Sequence, residues 1–257
     1  MKILFLYDVR LSDEHLWKDG LWQAVHMLES EHEVTWHNLV RSHDIDPSQF
    51  DAVLCRGDWS GHVDTFMESH PHPRACLYLC GNVQKPQGRQ NKYKTIFYEH
   101  EWQLPIEHHN LIHAFGINTK INYPMNLPKA IDWLTVGAFA NWKRQPSILD
   151  KPGVKMAVGD IQKDNLEESS AIVGQLILGG CGVMDMIPTE SLAVLYNLSR
   201  SVYIPANVNG GGERAVQEAR ACGIPVEVAE DNPKLRWFAT TDIFTEEYLY
   251  QQLLKGL

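Results

Sequence analysis

The sequence predicts an α/β protein made of two doubly wound, Rossmann-like domains with parallel sheets. Short apolar segments of strand length alternate with helical segments, which is typical of parallel strands joined by crossover helices. The alternation falls into two halves, and the proline-bearing stretch 123–128 (YPMNLP) suits a connector between them. The 257 residues also favour two domains, since a domain commonly has about 150 residues. We therefore expect domains at residues 1–125 and 126–257, facing a cleft where ligands bind at the carboxyl ends of the strands.

The elements follow from the apolar periodicity along the chain. In the first half, residues 2–7 form an apolar run of strand length, and residues 20–28 carry apolar side chains at helical spacing. Further strands of the first half are predicted at 34–39, 51–55, 75–80, 95–98 and 110–113. The second half is predicted to contain strands at 133–136, 154–158, 183–186 and 201–205, and helices at 167–178, 189–199, 213–222 and 245–255.

Composition and charge exclude several classes of protein. The net charge of −9 disfavours attraction of the whole chain to nucleic acid or to an anionic membrane. The five cysteines include no CxxC pair, so we expect reduced thiols and a cytoplasmic location. The apolar run 1–7 is too short for a signal peptide or a membrane span. The twelve histidines show no metal-ligand spacing, so we expect no metal and no cofactor.

The most informative segment is 210–226 (GGGERAVQEARACGIPV), which follows a predicted strand. Three consecutive glycines, Gly210, Gly211 and Gly212, let the backbone turn tightly and approach a ligand closely. The helix that begins at once presents free N–H groups and the positive end of its dipole, a combination that binds phosphate. Glu218 lies about one and a half turns into this helix, where its carboxylate can accept hydrogen bonds from a sugar diol. The segment therefore predicts a cradle for a nucleotide diphosphate.

Four segments in order resemble one enzyme family. Segment 116–124 (GINTKINYP) is similar to the family passage NGVD…F.P, and 136–144 (VGAFANWKR) is similar to VGRL…K. Segment 187–196 (IPTESLAVLY) is similar to VPxxELxxLY, and 210–226 is similar to EGFGLPxLEAMACGxPV. The family is glycosyltransferase family 4, whose members are retaining enzymes with the GT-B fold of two facing Rossmann-like domains. The motifs cover nearly the whole second half, whereas the first half matches mainly in layout.

The resemblance implies roles for residues of the second half. Lys143 matches the family lysine that binds the donor diphosphate, and Glu218 matches the glutamate that holds the ribose hydroxyls. The backbone of residues 185–187 is implied to line the base pocket. Gly20 is added because it heads the first predicted helix, where backbone can approach the donor phosphate. The expected donor-binding residues are thus Gly20, Gly137, Lys143, Asp185, Met186, Ile187, Gly210, Gly211, Gly212, Arg214 and Glu218.

In the first half, the fourth strand ends in residues 79–82 (LCGN) without the histidine that many relatives have there, and the second half departs from the family pattern at two places. Ala138 stands where the family has an arginine, and Gly210 stands where the family has the first glutamate of its E-x7-E pair. Arg144 or Arg214 is expected to supply the missing positive charge. Glu213 either supplies the missing carboxylate to the donor sugar or compensates the helix dipole. The residues expected to be catalytic are therefore Lys143, Arg144 and Glu213.

An acceptor side is expected on the first half. The loop 81–94 carries four cations, Lys85, Arg89, Lys92 and Lys94, without an acidic residue, and Trp59 follows another predicted strand. One interpretation is recognition of an anionic acceptor, such as a phosphate-bearing glycan, a lipid phosphate or DNA. The other interpretation is an ordinary solvated loop. His15 and His100 are weaker candidates for a catalytic role.

These observations predict a metal-independent glycosyltransferase of the hexosyl- or pentosyltransferase class. It would transfer a sugar from a nucleotide-diphosphate sugar such as a UDP-sugar to a glycan, a protein or a modified DNA base. Its short length suggests either an accessible, bulky acceptor or a compact phage-type member. The alternative is a non-catalytic nucleotide-sugar-binding protein, and an epimerase or a phosphorylase is a further rival. A nicotinamide-dependent oxidoreductase is disfavoured because no GxGxxG follows the first strand.

Overall fold

A computed structural model describes residues 1–9, 18–57, 61–80, 92–104 and 107–257. The packing contacts divide the chain into two compact units. The first unit contains residues 1–116 and 244–257, and the second contains residues 117–243. The sequence had suggested one change of domain, at 125/126, whereas the contacts change unit twice. The difference arises because the C-terminal helix packs on the first unit.

The first unit contains a six-stranded parallel sheet in the order β2-β1-β3-β4-β5-β6. Its strands are β1 (Lys2–Tyr7), β2 (Glu33–Asn38), β3 (Ala52–Arg56), β4 (Ala75–Tyr78), β5 (Thr95–Tyr98) and β6 (Leu111–His113). Its described helices of four or more residues are α1 (Gly20–Leu28), α2 (His62–Ser69) and, at the end of the chain, α7 (Glu246–Gly256).

The second unit contains a five-stranded parallel sheet in the order β11-β10-β7-β8-β9. Its strands are β7 (Ile131–Val136), β8 (Lys155–Val158), β9 (Gly182–Met184), β10 (Ser199–Ile204) and β11 (Val226–Val228). Its α-helices are α3 (Leu166–Leu178), α4 (Thr189–Leu198), α5 (Glu213–Ala221) and α6 (Pro233–Thr240). The predicted α/β class with two parallel, Rossmann-like sheets is confirmed.

Both faces of the first sheet are covered, which explains its nearly continuous apolar strands. Phe5 and Tyr7 of β1 pack in one apolar cluster with Leu21 of α1. Leu4 and Leu6 of the same strand pack on the other face, in a cluster with residues of α2. The period-two alternation of a strand thus distributes one short sequence between two helical layers.

The C-terminal helix α7 belongs to this first packing layer. Leu249 and Leu253 are buried in the same cluster as Leu21 of α1. A Cβ atom placed on Gly116 would lie 2.5 Å from the carbonyl oxygen of Thr245, so the chain enters α7 in close contact with residue 116. The helix was predicted from its amphipathic pattern, but the pattern does not say which sheet it covers.

The sequence predictions missed α2 and α6, which are both eight residues long. They also gave no account of the short 3₁₀ helix Asn141–Lys143. Among the described residues, no helix is long and apolar enough to cross a membrane.

Candidate functional site

The glycine loop lies at the topological switch point of the second sheet. From β7 the chain continues to β8 and β9 on one side, whereas β10 and β11 lie on the other side. Gly137 follows the carboxyl end of β7, and the glycine loop, residues 205–212, follows the carboxyl end of β10. Ligands of open α/β sheets bind in this crevice between oppositely directed connections. The fold therefore brings two sequence-predicted segments to the edge where a ligand is expected.

Two of the three glycines are required because the loop packs closely against neighbouring segments of the chain. A Cβ atom on Gly210 would lie 2.7 Å from the carbonyl oxygen of Trp142. Gly212 has φ +150°, and its Cβ would lie 2.7 Å from Cγ2 of Ile204. Neither distance is tolerated by a real side chain, so the glycines allow the loop to lie directly on its own scaffold.

Three charged side chains hold the three consecutive glycines. Lys234 Nζ donates to the carbonyl oxygen of Gly210 at 3.2 Å, and Lys143 Nζ donates to that of Gly211 at 2.6 Å. The backbone N–H of Gly212 donates to Glu213 Oε2 at 2.7 Å. We call Lys143, Lys234 and Glu213 the charged triad. Each of these three hydrogen bonds involves a charged side chain and fixes the orientation of one peptide group of the loop.

The triad contains two cations and one carboxylate in a buried setting. Lys234 Nζ lies 2.5 Å from Glu213 Oε1, and the side chains of these residues are 1% and 6% exposed. The pKa of Lys143 is lowered to about 8, mainly by burial, with attraction to Glu213 opposing the decrease and the nearby charge of Lys234 adding to it. An added anion would relieve this excess of positive charge. The arrangement suits a phosphate or diphosphate ligand.

Lys143 is positioned by the segment that follows β7. It ends the 3₁₀ helix Asn141–Lys143, and its Cδ lies 3.3 Å from the position that a Cβ on Gly137 would take. Gly137 has φ +146°, a conformation suited to glycine. The buried side chain of Gln145 donates to the carbonyl oxygens of Gly137 at 2.8 Å and Ala138 at 2.5 Å. This turn therefore has a fixed shape under the lysine.

Arg144 lies next to Lys143 but makes a different contact. It has φ +52°, which makes it a non-glycine residue in the left-handed region. Its Nη1 donates to both carboxylate oxygens of Asp231, at 3.0 and 2.8 Å, and both side chains are substantially exposed. Arg214 is half-buried in the first turn of α5. The expectation that either arginine replaces the family arginine stays a prediction.

Glu218 is buried in α5 and has a partner within the protein. Its Oε2 accepts a hydrogen bond from the hydroxyl of Tyr196 in α4 at 3.1 Å. Burial and this carboxylate raise the pKa of Tyr196 well above its usual value, and the same two causes raise the pKa of Cys222 to about 12. The ribose-binding role implied by the resemblance stays a prediction, and the structure adds a role in joining α4 to α5.

The predicted base-pocket residues follow β9. Asp185 is exposed and its Oδ1 accepts from the backbone N–H of Met186 at 2.7 Å, while Met186 and Ile187 are partly buried. Strand β8 lies between β9 and β7, so this segment is at the same edge of the sheet as the glycine loop but farther along it.

Sequence reasoning missed Lys234 and Asn232, which reach the loop from the start of α6. Asn232 is buried, and its Nδ2 donates to the carbonyl oxygens of Ala206 at 2.9 Å and Asn207 at 2.8 Å. Its Oδ1 accepts from the N–H of Leu235 and caps the helix. The signal was present, because Asn232 followed by Pro233 is a typical helix start. No sequence pattern showed that Lys234 would be buried.

In the first unit, Gly20 is the buried first residue of α1. The preceding Asp19 caps the helix, with Oδ1 accepting from the N–H of Trp22 at 2.9 Å. A carboxylate therefore already occupies the start of this helix, which weighs against a phosphate contact at Gly20. A small pocket lies nearby and is lined by Phe5, Tyr7, Val9, Asp19, Leu21, Trp22 and Arg56.

The described cations of the expected acceptor loop lie toward the amino ends of the strands. Lys92 pairs with Glu68, in the last turn of α2, at 2.9 Å. Lys94 immediately precedes β5, and its Nζ lies 3.4 Å from the carbonyl oxygen of Leu257. Ligands were expected at the carboxyl ends of the strands, so the position of these two lysines differs from the expectation. Trp59, Lys85, Arg89 and His15 lie outside the described residues.

Two further expectations concern metals and His100. Within the described ranges, no group of three or more metal-ligating side chains is found. His100 is buried after β5 and offers little surface to a ligand. Metal independence stays a prediction.

No family model and no curated protein matches the sequence. Solved structures do match over nearly the whole chain. HepE from Anabaena in complex with UDP-glucose is 14% identical, with 99% of this chain and 89% of HepE covered and a TM-score of 0.66. AviGT4, a glycosyltransferase involved in avilamycin A biosynthesis, is 12% identical, with 99% and 87% covered and a TM-score of 0.65.

The same fold also occurs in a protein that is named for a different enzymatic activity. A putative UDP-N-acetylglucosamine 2-epimerase from Listeria monocytogenes is 12% identical, with 99% of this chain and 87% of that chain covered and a TM-score of 0.56. At these identities the similarity establishes architecture rather than activity. The chain has the GT-B fold found in glycosyltransferases.

Proposed function

We propose that the chain is a glycosyltransferase that uses a nucleotide-diphosphate sugar, with UDP as the first nucleotide to test. The observation that carries the proposal is the charged triad on the glycine loop, at the switch point of a GT-B second unit. The second unit would bind the donor and the first unit would bind the acceptor. HepE was solved with UDP-glucose, which makes this donor the natural first probe.

The proposed reaction separates charge at the donor diphosphate. An acceptor oxygen forms a bond to the anomeric carbon while the bond from that carbon to the diphosphate oxygen breaks, and the electron pair leaves with the diphosphate. Lys143 and the first N–H groups of α5 stabilise the growing negative charge, as fixed dipoles and cations do in general. The family resemblance implies that the anomeric configuration is retained. It also implies that the reaction requires no metal ion.

In this scheme Glu213 does not contact the donor sugar, although such a contact was one of its two expected roles. Its two carboxylate oxygens contact Lys234 and the N–H of Gly212. We assign Glu213 to holding the loop and compensating the start of α5. Arg144 and Arg214 remain candidates for an additional contact to the leaving group.

The acceptor class is a glycan, a protein or a modified DNA base, and the transferred sugar is a hexose or a pentose. A cytoplasmic location is supported by the five cysteines, which are all buried and form no disulfide bond. An anionic acceptor remains a hypothesis that depends on Lys85 and Arg89. A nucleotide-sugar-binding protein without catalysis would share the donor site and differ only in turnover.

The donor site is tested by calorimetric binding of UDP, GDP, ADP and TDP to the wild type, Lys143→Met and Lys129→Met. Lys129 is a matched control because its Nζ also donates to a backbone carbonyl, that of Asn197, at 2.8 Å. We expect one diphosphate to bind the wild type and the control, and to bind Lys143→Met at least tenfold more weakly. Equal binding by both variants would refute the assignment of Lys143.

The ribose contact is tested by Glu218→Gln and Tyr196→Phe. Both variants alter the same hydrogen bond, but only the first removes the carboxylate. Glu218→Gln should lose the preference for UDP over 2′,3′-dideoxy-UDP, whereas Tyr196→Phe should keep it. UDP release from UDP-glucose then separates an enzyme from a binding protein, because binding without turnover would favour the latter.

A further inference from the structure

Two apolar side chains are exposed at the carboxyl edge of the second sheet, on segments that contact each other. Trp142 is 38% exposed in the 3₁₀ helix that comes after β7, and Val208 is 44% exposed in the glycine loop that follows β10. The backbone N–H of Asn207 donates to the carbonyl oxygen of Trp142 at 3.0 Å, which joins the two segments at this point. We call Trp142 and Val208 the apolar pair.

Both members of the apolar pair project from backbone of fixed shape. The N–H of Gly210 donates to the carbonyl oxygen of Asn207 at 2.8 Å and to its Oδ1 at 3.1 Å, which closes a turn with Val208 at its second position. Next to Trp142, the N–H of Asn141 donates to Oε1 of Glu168 at 2.8 Å. A surface that is already ordered loses little conformational entropy when a ligand binds to it.

The indole ring of Trp142 lacks the contacts that the other described tryptophans make. Each of those has another aromatic or imidazole ring beside it, and they are Trp22, Trp36, Trp102, Trp133 and Trp237. Within the described part of the chain, Trp142 has no such ring beside it and its indole N–H donates to no acceptor. An uncovered aromatic face with an unused donor at its edge suits a ligand that combines apolar and hydroxyl groups.

The order of groups in the proposed donor directs its sugar toward the apolar pair. In the proposed site, Glu218 within α5 holds the ribose, and the start of α5 with Lys143 holds the diphosphate. The transferred sugar is bonded to the diphosphate on the side away from the ribose. The chain that leads backward from the start of α5 passes through Gly210 to Val208.

The glycine loop cannot place a carboxylate against the sugar from position 210. A Cβ atom there would lie 2.7 Å from the carbonyl oxygen of Trp142, so the backbone of Trp142 takes the space that a side chain would need. The carboxylate of Glu213 is buried and contacts Lys234 and the N–H of Gly212. Exposed apolar side chains therefore stand beside the loop where a carboxylate is missing.

We propose that the apolar pair binds the donor sugar and selects a neutral pyranose that has a continuous face of C–H groups, as glucose has. The indole of Trp142 lies against that face and Val208 contacts the edge of the ring, so that water leaves both apolar surfaces. This inference rests on the proposed function, because it requires the donor diphosphate to bind at the glycine loop.

The first test compares the binding of UDP and UDP-glucose by calorimetry in the wild type, Trp142→Ala and Trp102→Ala. Trp102 is a matched control because it is 39% exposed and belongs to the first unit. Covering about 50 Å² of the indole corresponds to about tenfold in affinity, so Trp142→Ala should bind UDP-glucose about tenfold more weakly and UDP as the wild type does. Trp102→Ala should bind both ligands as the wild type does. An equal loss for both ligands in Trp142→Ala, or no loss for either, would overturn the proposal.

The second test examines the two members of the pair separately. Val208→Ser should weaken binding of UDP-glucose by about threefold, because it uncovers about half as much apolar surface, whereas the control Val154→Ser should not. The indole N–H resonance of Trp142 is identified by its absence from the spectrum of Trp142→Phe. This resonance should shift more with UDP-glucose than with UDP, and equal shifts with the two ligands would contradict contact with the sugar.

The outcomes separate this inference from the proposed function. If the wild type binds GDP, ADP or TDP in place of UDP, the same comparison is made with that diphosphate and its glucose conjugate. A wild type that binds none of the four diphosphates would overturn both proposals. A wild type that binds the diphosphate and its glucose conjugate equally well would overturn the sugar contact and leave the diphosphate site intact.

Discussion

The ammonium group of Lys234 lies 2.5 Å from Glu213 Oε1, and both side chains are almost fully buried beneath the glycine loop. Glu213 also accepts from the N–H of Gly212, and Lys234 also donates to the carbonyl oxygen of Gly210. The ion pair thus joins the first turn of α5 to the first turn of α6 across the loop. Its burial makes either partner costly to remove alone.

Lys234→Met should destabilise the protein by about 3–5 kcal/mol, because it removes the direct ion-pair partner of the buried Glu213. The double variant Lys234→Met with Glu213→Gln should lose less than the sum of the two single variants, because each single change already breaks the direct pair. Arg200→Gln is the control, because the pair of Arg200 with Asp132 is exposed and should contribute only about 0–1 kcal/mol. Urea unfolding measures these three variants and the single variant Glu213→Gln, and additive losses in the double variant would contradict the coupling.

Binding of UDP should weaken as the pH rises through about 8, because burial lowers the pKa of Lys143 to about 8 and the ammonium loses its proton there. A diphosphate favours the charged form, so binding near that pH should take up a proton. Calorimetry in buffers of different ionisation enthalpy measures the uptake. A dissociation constant and a proton uptake that are unchanged between pH 7 and 9 would contradict the prediction.

The lowered pKa of Lys143 also affects the stability of the protein. The pKa of Lys143 is lower in the folded protein than its ordinary value of 10.5, so the unfolded chain binds the extra proton between about pH 8 and that value. The contribution of this group to the free energy of unfolding therefore rises with pH across that window. Lys143→Met should remove this component of the pH dependence, which urea titrations of both proteins would reveal.

Gly210→Ala and Gly212→Ala should both lower stability and weaken UDP binding, because each added Cβ would lie 2.7 Å from an atom of the scaffold. Gly174→Ala is the control in α3, where a Cβ would meet no atom within 4 Å. That change should stabilise the protein by about 0.5–1 kcal/mol, since alanine favours a helix over glycine. Loop variants as stable as wild type would show that the loop moves aside without cost.

Leu253→Ala should cost about 2–5 kcal/mol, because its side chain is fully buried among the residues of α1 and the first sheet. Leu178→Ala, at a position that is 91% exposed, should change stability by less than about 0.5 kcal/mol. Equal effects would mean that α7 is not part of the core of the first unit.

The sequence predicted the elements that carry strong periodicity. Residues 2–7 and 20–28 coincide with β1 and α1, and the helix after the glycines begins at Glu213 as expected. These predictions are correct because the apolar pattern of each segment fits only one type of secondary structure. Helix α6 was missed because only Leu235, Trp237 and Phe238 mark its apolar positions, although its start is signalled by Asn232 and Pro233.

The site was predicted less completely than the fold. Lys143 was singled out because it matches a motif, and the glycines because three of them stand in a row before a predicted helix. Lys234 and Asn232 come from a separate helix and reach the loop only after folding. Contacts between elements depend on strand order, which local patterns do not encode.

The return of the C-terminal helix to the first unit makes the second unit a topological insertion. Residue 116 and residue 245 are in van der Waals contact, as the space around Gly116 shows. Excising residues 117–243 and rejoining the flanks through a short linker should therefore leave a self-contained first unit, whereas a fragment cut at residue 125 would lose α7. Exchange of donor specificity between proteins of this architecture would accordingly require a two-junction graft rather than a simple fusion.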